Sequence, residues 1–196
     1  MDAALDVLAQ SGYSQASVQD IVTRSGTSKG SFYFHFPSKE TMVEALLNQM
    51  SDKLIKKIQR SIEQQPTPLH RVAAGIDMLM ATFSRQRKVA QVLLLNIMGH
   101  GQSTDRKFLP IRDRFAELIK RELDTAVSQG QIAPVDTALV ARIWLGALQE
   151  VIVGWLLTGQ PNPLASATPI LRTTLLRSIG ADTDLYPELF LEGDSK

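Results

Sequence analysis

The stretch 21–39 holds Arg24, Lys29 and Lys39 and neither an aspartate nor a glutamate. Within it, Ser28-Lys29-Gly30-Ser31-Phe32-Tyr33-Phe34-His35-Phe36 reads as a helix of about two turns, but one assembled against the usual preferences. A glycine inside a helix, here Gly30, costs about 1 kcal/mol relative to alanine. Lys29 puts a cation at the positive end of the helix dipole, and Lys39 does the same in the first turn of the next helix. Both placements turn favourable when an anion sits at the two N-termini, because helix amides and lysines then act on the same phosphates. Gly30 would let the helix approach a groove with no side chain in the way. Phe32 and Phe36, four apart, face inward. Tyr33 and His35 point elsewhere, and Tyr33 offers a hydroxyl for a phosphate and a ring for a thymine methyl.

The elements that must hold this segment are helices, since strand signals are nearly absent. Ala4, Leu5, Leu8 and Ala9 mark a first helix that stops at Gly12. Ser17 caps a second, which turns Val18, Ile21 and Val22 inward, carries Asp20 in its first turn and ends at Gly26. Thr27 or Ser28 caps the third, closed before Pro37. Ser38 opens a long fourth, with Met42, Val43, Leu46, Leu47, Met50, Leu54, Ile58 and Ile62 at three- and four-residue steps, broken after Gln65 by Pro66 and Pro68. Further helices are expected over 68–84, 87–98, 104–129, 135–158 and 164–179. The spacing predicts an all-α protein in two parts, a three-helix N-terminal domain over 1–47 and a larger helical bundle over 48–196.

Composition narrows the function classes. A chain of 196 residues with 44% hydrophobic and 21% charged residues can build one or two cores and is neither disordered nor membranous in composition. The longest apolar run, 143–157, is interrupted by Gln149 and Glu150 and is shorter than the roughly 20 residues that cross a bilayer. No basic n-region or apolar h-region marks a secretory signal, and the absence of cysteine suits a reducing cytoplasm. A net charge of +1 lends nucleic-acid binding little support globally, so the local pattern carries that reading. An enzyme is not expected. The sequence shows no nucleophile elbow, phosphate loop or metal-spaced cluster, and His35, His70 and His100 stand isolated. No cofactor or metal is expected either.

Two segments, Ser17-Val18-Gln19-Asp20-Ile21-Val22 and the ungapped run from Ser25-Gly26-Thr27-Ser28 through Pro37-Ser38-Lys39-Glu40, closely resemble the DNA-binding domain of the tetracycline-repressor-like (TetR) family. The resemblance covers 1–47; beyond it only the layout is similar. It implies a helix-turn-helix whose third helix enters the major groove. Lys29, Gly30 and Ser31 would then lie near base edges, with Tyr33, His35 and Lys39 on the phosphate backbone. Ser17 and Ser28 would donate to phosphates at their helix N-termini, with Thr27 beside them. Family members usually carry several residues, often basic, ahead of the first helix, whereas this chain opens at Asp2. Either the start is unusual or affinity depends less on an N-terminal arm. Phe34, at a position often polar or charged, also departs from the pattern, as a base contact or as an exposed ring.

The expected helix 135–158 is apolar on nearly every face and must be covered on more than one side. The simplest cover is a second copy across a two-fold axis, with Leu139, Ile143, Val151, Trp155, Leu171 and Leu175 at the interface. The resemblance implies the same homodimer, which would set two third helices on half-sites about 34–36 Å apart in a palindromic operator on double-stranded DNA. It also implies a small-molecule pocket, for which Met78, Met80, Phe83, Leu94, Asn96, Ile97, Met98, His100, Phe108, Phe115, Trp144 and Gln149 are the candidates. Few of these are charged, so a largely apolar effector is expected. The resulting function is a ligand-responsive repressor. The other reading is a helical coregulator, or a regulator without a small-molecule ligand, controlled by a protein partner.

Overall fold

The computed structural model describes residues 1–95, 102–182 and 185–190, with side chains outside 102–108. Among these every regular element is helical: α1 (Asp2–Gln15), α2 (Val18–Ser25), α3 (Lys29–His35), α4 (Lys39–Ile62), α5 (Pro68–Arg85), α6 (Arg87–Leu95), α7 (Gln102–Ser128), α8 (Thr137–Thr158), α9 (Thr168–Ser178) and α10 (Pro187–Phe190), with a 3₁₀ turn at Leu164–Ala167. The chain divides into two compact units, Met1–Lys53 with Gln86–Ile111, and Leu54–Arg85 with Arg112–Lys196. Helices α4 and α7 each contribute to both.

In the first unit, local chemistry sets the helix ends. Gly12 (φ 72°, ψ 168°) breaks α1, and one further turn reaches Gln15. Ser17 and Asp20 form a reciprocal capping box that starts α2, and Gly26 (φ 67°) closes it in the left-handed conformation that glycine adopts without strain. Ala4, Val7 and Leu8 of α1, Ile21 and Val22 of α2, Phe32 of α3 and Met42, Val43, Leu46, Leu47 and Met50 of α4 are buried. Helix α6 packs on α1. Gln91 Nε2 donates to the Ala9 carbonyl at 2.7 Å, and the Lys88 ammonium lies 2.6 Å from Asp6.

In the second unit, α5 buries Leu69, Val72, Ala73 and Ile76, while α8 buries Ala141, Trp144, Leu148 and Ile152. Asp136 caps α8 by accepting from the Leu139 amide, and Gly159 ends it. Trp144 Nε1 donates to Ser178 Oγ at 3.1 Å, and Arg172 of α9 meets Asp77 of α5 at 2.7 Å. At 22 residues, α8 outruns the apolar run read from the sequence. It is long and apolar enough to cross a membrane by length and composition alone, a correction to the expectation above. Its buried Trp144, Leu148 and Ile152, however, make one face of it a core face.

Candidate nucleic-acid interface and apolar cavity

Helix α3 is pinned through one ring. Phe32 is buried, with its centroid 5.8 Å from that of Phe36 and 5.3 Å, edge-on, from that of Tyr33. Around it Thr27, Ser28, Lys29, Gly30, Ser31, Tyr33 and His35 are all exposed, and Phe34 is 85% exposed. Ser28 Oγ caps the helix by accepting from the Ser31 amide at 3.1 Å. A Cβ added to Gly30 would meet only Ser28 Oγ, at an ordinary 3.7 Å. Among the described residues no neighbour therefore requires glycine there, and none of them accounts for its helix penalty.

Two of the expected backbone contacts are engaged inside the protein. The Ser17 hydroxyl lies 2.6 Å from Asp20 Oδ2 and accepts from the Asp20 amide. That bond holds the Asp20 carboxyl below the usual carboxylate range. Lys39 donates to the carbonyls of Tyr13 (2.9 Å) and Ala16 (3.0 Å), with its ammonium 4.4 Å from the Tyr13 ring centroid. It thus caps the end of α1, and one of its three N–H groups remains for an outside acceptor. Lys39 is half-buried where the sequence suggested a surface cation. Beside it the Tyr13 hydroxyl donates to Glu40 at 2.9 Å; burial, then Glu40, pushes the phenol up to about 12. Asp6 joins three helices, accepting from Arg24 of α2 and Lys88 of α6, and both bonds lower its pKa, Lys88 first.

The second unit holds a partly open cavity of about 50 Å³. Ile58 and Ile62 of α4 line it, with Val72, Gly75, Ile76 and Leu79 of α5, Phe115, Leu118 and Ile119 of α7, and Leu145 and Leu148 of α8. Its polar wall is one pair, Arg71 and Glu122. Of the residues expected to line a pocket, Phe115 does so. Met80, Phe83 and Trp144 are buried elsewhere in the core, while Met78, Leu94 and Gln149 are half-buried away from this cavity. Asn96, Ile97, Met98 and His100, and the side chain of Phe108, lie outside the described residues. The sequence reading sought aromatics and methionines, whereas apart from Phe115 and the charge pair the wall is aliphatic and looks like any core. One signal was available. Glu122 falls on the inward stripe of α7, seven, four and three residues after Phe115, Leu118 and Ile119.

On α8 the side chains of Leu139 (55%), Ile143 (58%) and Leu157 (70%) are exposed, as is Ile170 of α9 (68%). Val151 and Leu171 are half-buried. Trp155 and Leu175, expected at the same interface, are buried within the chain because their helical phase turns them toward its own core. A Cβ on Gly146 or Gly154, between Ile143 and Leu157, would meet nothing within 4 Å.

A small helical unit with an exposed α3, and another helical unit with a cavity and an open apolar stripe, are the parts of a helix-turn-helix DNA-binding regulator. Residues 1–46 match the model of bacterial regulatory proteins of the tetR family, and residues 47–177 match the YsiA-like C-terminal region. The chain belongs to the tetR family. It is 22% identical over 180 residues to the fatty acid metabolism regulator protein of Bacillus subtilis, covering 91% of this chain and 93% of that one. With the repressor KstR2 of Mycobacterium tuberculosis it shares 28% over 166 residues, 82% of this chain and 81% of the other. The crystal structure of B. subtilis FadR in complex with stearoyl-CoA superposes with a TM-score of 0.84 at 21% identity, covering 92% of this chain and 96% of that one. Fold and family are those of transcriptional regulators. As a member of that family it is a bacterial regulatory protein.

Proposed function

We propose that this cytoplasmic repressor works by binding rather than catalysis, holds a palindromic operator through α3 of each protomer, and is released by a long-chain acyl thioester. The observation that carries the ligand class is the cavity, apolar but for one charge pair. B. subtilis FadR was crystallised with stearoyl-CoA, a ligand whose hydrocarbon tail suits such a wall. Lys29, Gly30, Ser31 and Tyr33 face the groove and its phosphates, with Thr27, Ser28, His35 and the remaining N–H of Lys39 alongside. A second copy covers Leu139, Ile143, Leu157 and Ile170.

At about 50 Å³ the cavity is far below the roughly 300 Å³ of an ordinary ligand pocket, so an acyl chain must widen it. The ligand therefore prefers a wider state, and that preference is the differential affinity a switch needs. Widening displaces Ile58 and Ile62, which sit on the helix that begins at Lys39, directly after α3. The test has two steps. Selection from a random duplex pool should yield a palindrome, and acyl-coenzyme A of 12–18 carbons should release it while coenzyme A alone does not. Recovery of no palindrome, or release by coenzyme A alone, overturns the proposal.

A further inference from the structure

Resting on the proposed role of α3 as the groove helix, we infer that Phe34 selects a thymine in each half-site through the 5-methyl group of that base. Phe34 is 85% exposed, more than any other large apolar side chain among the described residues. Its ring stands edge-on to that of His35, with centroids 5.1 Å apart, and His35 is itself exposed. Helical phase decides where Phe34 points. At 3.6 residues per turn, positions two before and two after Phe32 lie about 160° from it, and its immediate neighbours about 100°. Phe32 is buried, so Gly30 and Phe34 make the centre of the outer face, with Ser31 and Tyr33 on its two flanks. Gly30 has no side chain. Of the two, Phe34 alone projects one, a turn beyond the point where the backbone is bare.

The chemistry of a phenyl ring selects its partner. Base pairs present N7, O6, O4 and amino groups in the major groove, all polar, and one apolar group, the thymine 5-methyl. Set against a polar group, the ring would strip water from it and return no hydrogen bond. Set against a phosphate, it would turn the negative face of its π-system toward an anion. Against the methyl, both surfaces leave water at a gain. No acid between residues 21 and 39 opposes the approach of the duplex. The methyl contact thus moves from Tyr33, whose ring the sequence offered for it, to the neighbouring residue. Tyr33, on the flank and edge-on to the buried Phe32, keeps the phosphate.

The experiment uses full-length protein and the palindrome recovered from a random duplex pool, read by fluorescence anisotropy. Each thymine is replaced in turn, symmetrically in both half-sites, by deoxyuridine, which keeps the pairing and lacks only the methyl. At one position the wild type should lose about ten- to twentyfold in affinity, about three- to fivefold for each of the two methyls. Phe34→Ala should bind the thymine and uracil duplexes within about twofold of each other, with an unchanged Tm because the ring is exposed. Tyr33→Ala should weaken both and keep their ratio. A wild type indifferent to every replacement overturns the assignment whether or not the variants fold, as does a selected half-site without thymine. So does a methyl preference that survives in Phe34→Ala or vanishes in Tyr33→Ala. If the palindrome is bound in those cases, α3 remains the groove helix and only the role of Phe34 falls. If no palindrome is recovered, both fall together.

Discussion

Gly75 offers a test in which stability and function should move in opposite directions. It lies inside α5 and lines the cavity, and a Cβ built there would meet Ile58 Cγ2 and Ile62 Cγ2, each at 3.6 Å. Those are ordinary van der Waals distances, so Gly75→Ala needs no shift of backbone or side chain. Replacing a helix-interior glycine is worth about 1 kcal/mol, and a methyl that fills apolar space contributes up to about 0.8 kcal/mol more. A gain of roughly 1–2 kcal/mol in a chain of this length corresponds to a rise in Tm of about 3–6 °C. The same methyl narrows a cavity of about 50 Å³. The concentration of acyl-coenzyme A that half-releases the operator should therefore rise several-fold. Differential scanning calorimetry at matched protomer concentration, since dimer Tm depends on it, and fluorescence anisotropy with labelled operator give the two numbers. A lower Tm would refute the packing argument. A higher Tm with an unchanged release midpoint would refute the placement of the ligand.

Gly30→Ala should likewise stabilise the reading head, by up to about 1 kcal/mol, yet weaken operator binding at least about tenfold in a gel-shift titration. Tyr33→Ala should weaken it by a similar factor with Tm within about 1 °C of wild type, because the side chain is 52% exposed. Ile143→Glu should turn the dimer into a folded monomer in sedimentation velocity at micromolar concentration, with far-ultraviolet circular dichroism retained. For Asp6 the sign follows from its direction. Its folded pKa is depressed, so the links to Lys88 and Arg24 hold above the unfolded value of 3.8 and are lost as pH falls through the folded one. Protection factors of α6 amides should fall selectively on acidification, and in Asp6→Asn they should already be low at neutral pH. Tyr13 runs the other way. With its phenol held at about 12, the α1–α4 contact should weaken as pH rises from 10 toward 12, read by phenolate absorbance.

The reading head was legible because its determinants are local. Ser17, Gly26, Ser28 and Pro37 each act within four residues of themselves, and the periodicity of Met42 to Ile62 sets the inward face of α4 without reference to anything else. The outcome for Lys39 was not legible. Its two acceptors are the carbonyls of Tyr13 and Ala16, more than twenty residues away, and nothing in a lysine's identity announces a capping role across that distance. Helix α6 shows the same limit, since an amphipathic pattern fixes which face is buried but not that α1 is what buries it. The cavity escaped for another reason. Isoleucine and leucine around a void look like isoleucine and leucine around a core, and Glu122 on an inward stripe was the lone cue. The exposed stripe of α8 was half legible: an all-round apolar helix must be covered twice, but only the fold assigns Trp155 to the chain's own core and Ile143 to the outside.

The glycines separate the two kinds of constraint. Those that close helices, such as Gly26 and Gly159, have positive φ, and the backbone alone accounts for them. Gly30, Gly75, Gly146 and Gly154 sit inside helices, where each costs about 1 kcal/mol against alanine. Within the chain each has room for a Cβ. A cost repeated four times with no internal cause points to neighbours outside the chain. Under the proposed function each has a different one: DNA for Gly30, the acyl chain for Gly75, and the second copy for Gly146 and Gly154. If that is their cause, alanine at each should raise thermal stability of the free protomer and lower one event directly: operator binding by the dimer for Gly30, ligand release for Gly75, and dimerisation, with operator binding following it, for Gly146 and Gly154. Alanine variants that lost all three functions together would mean that these glycines serve the fold after all.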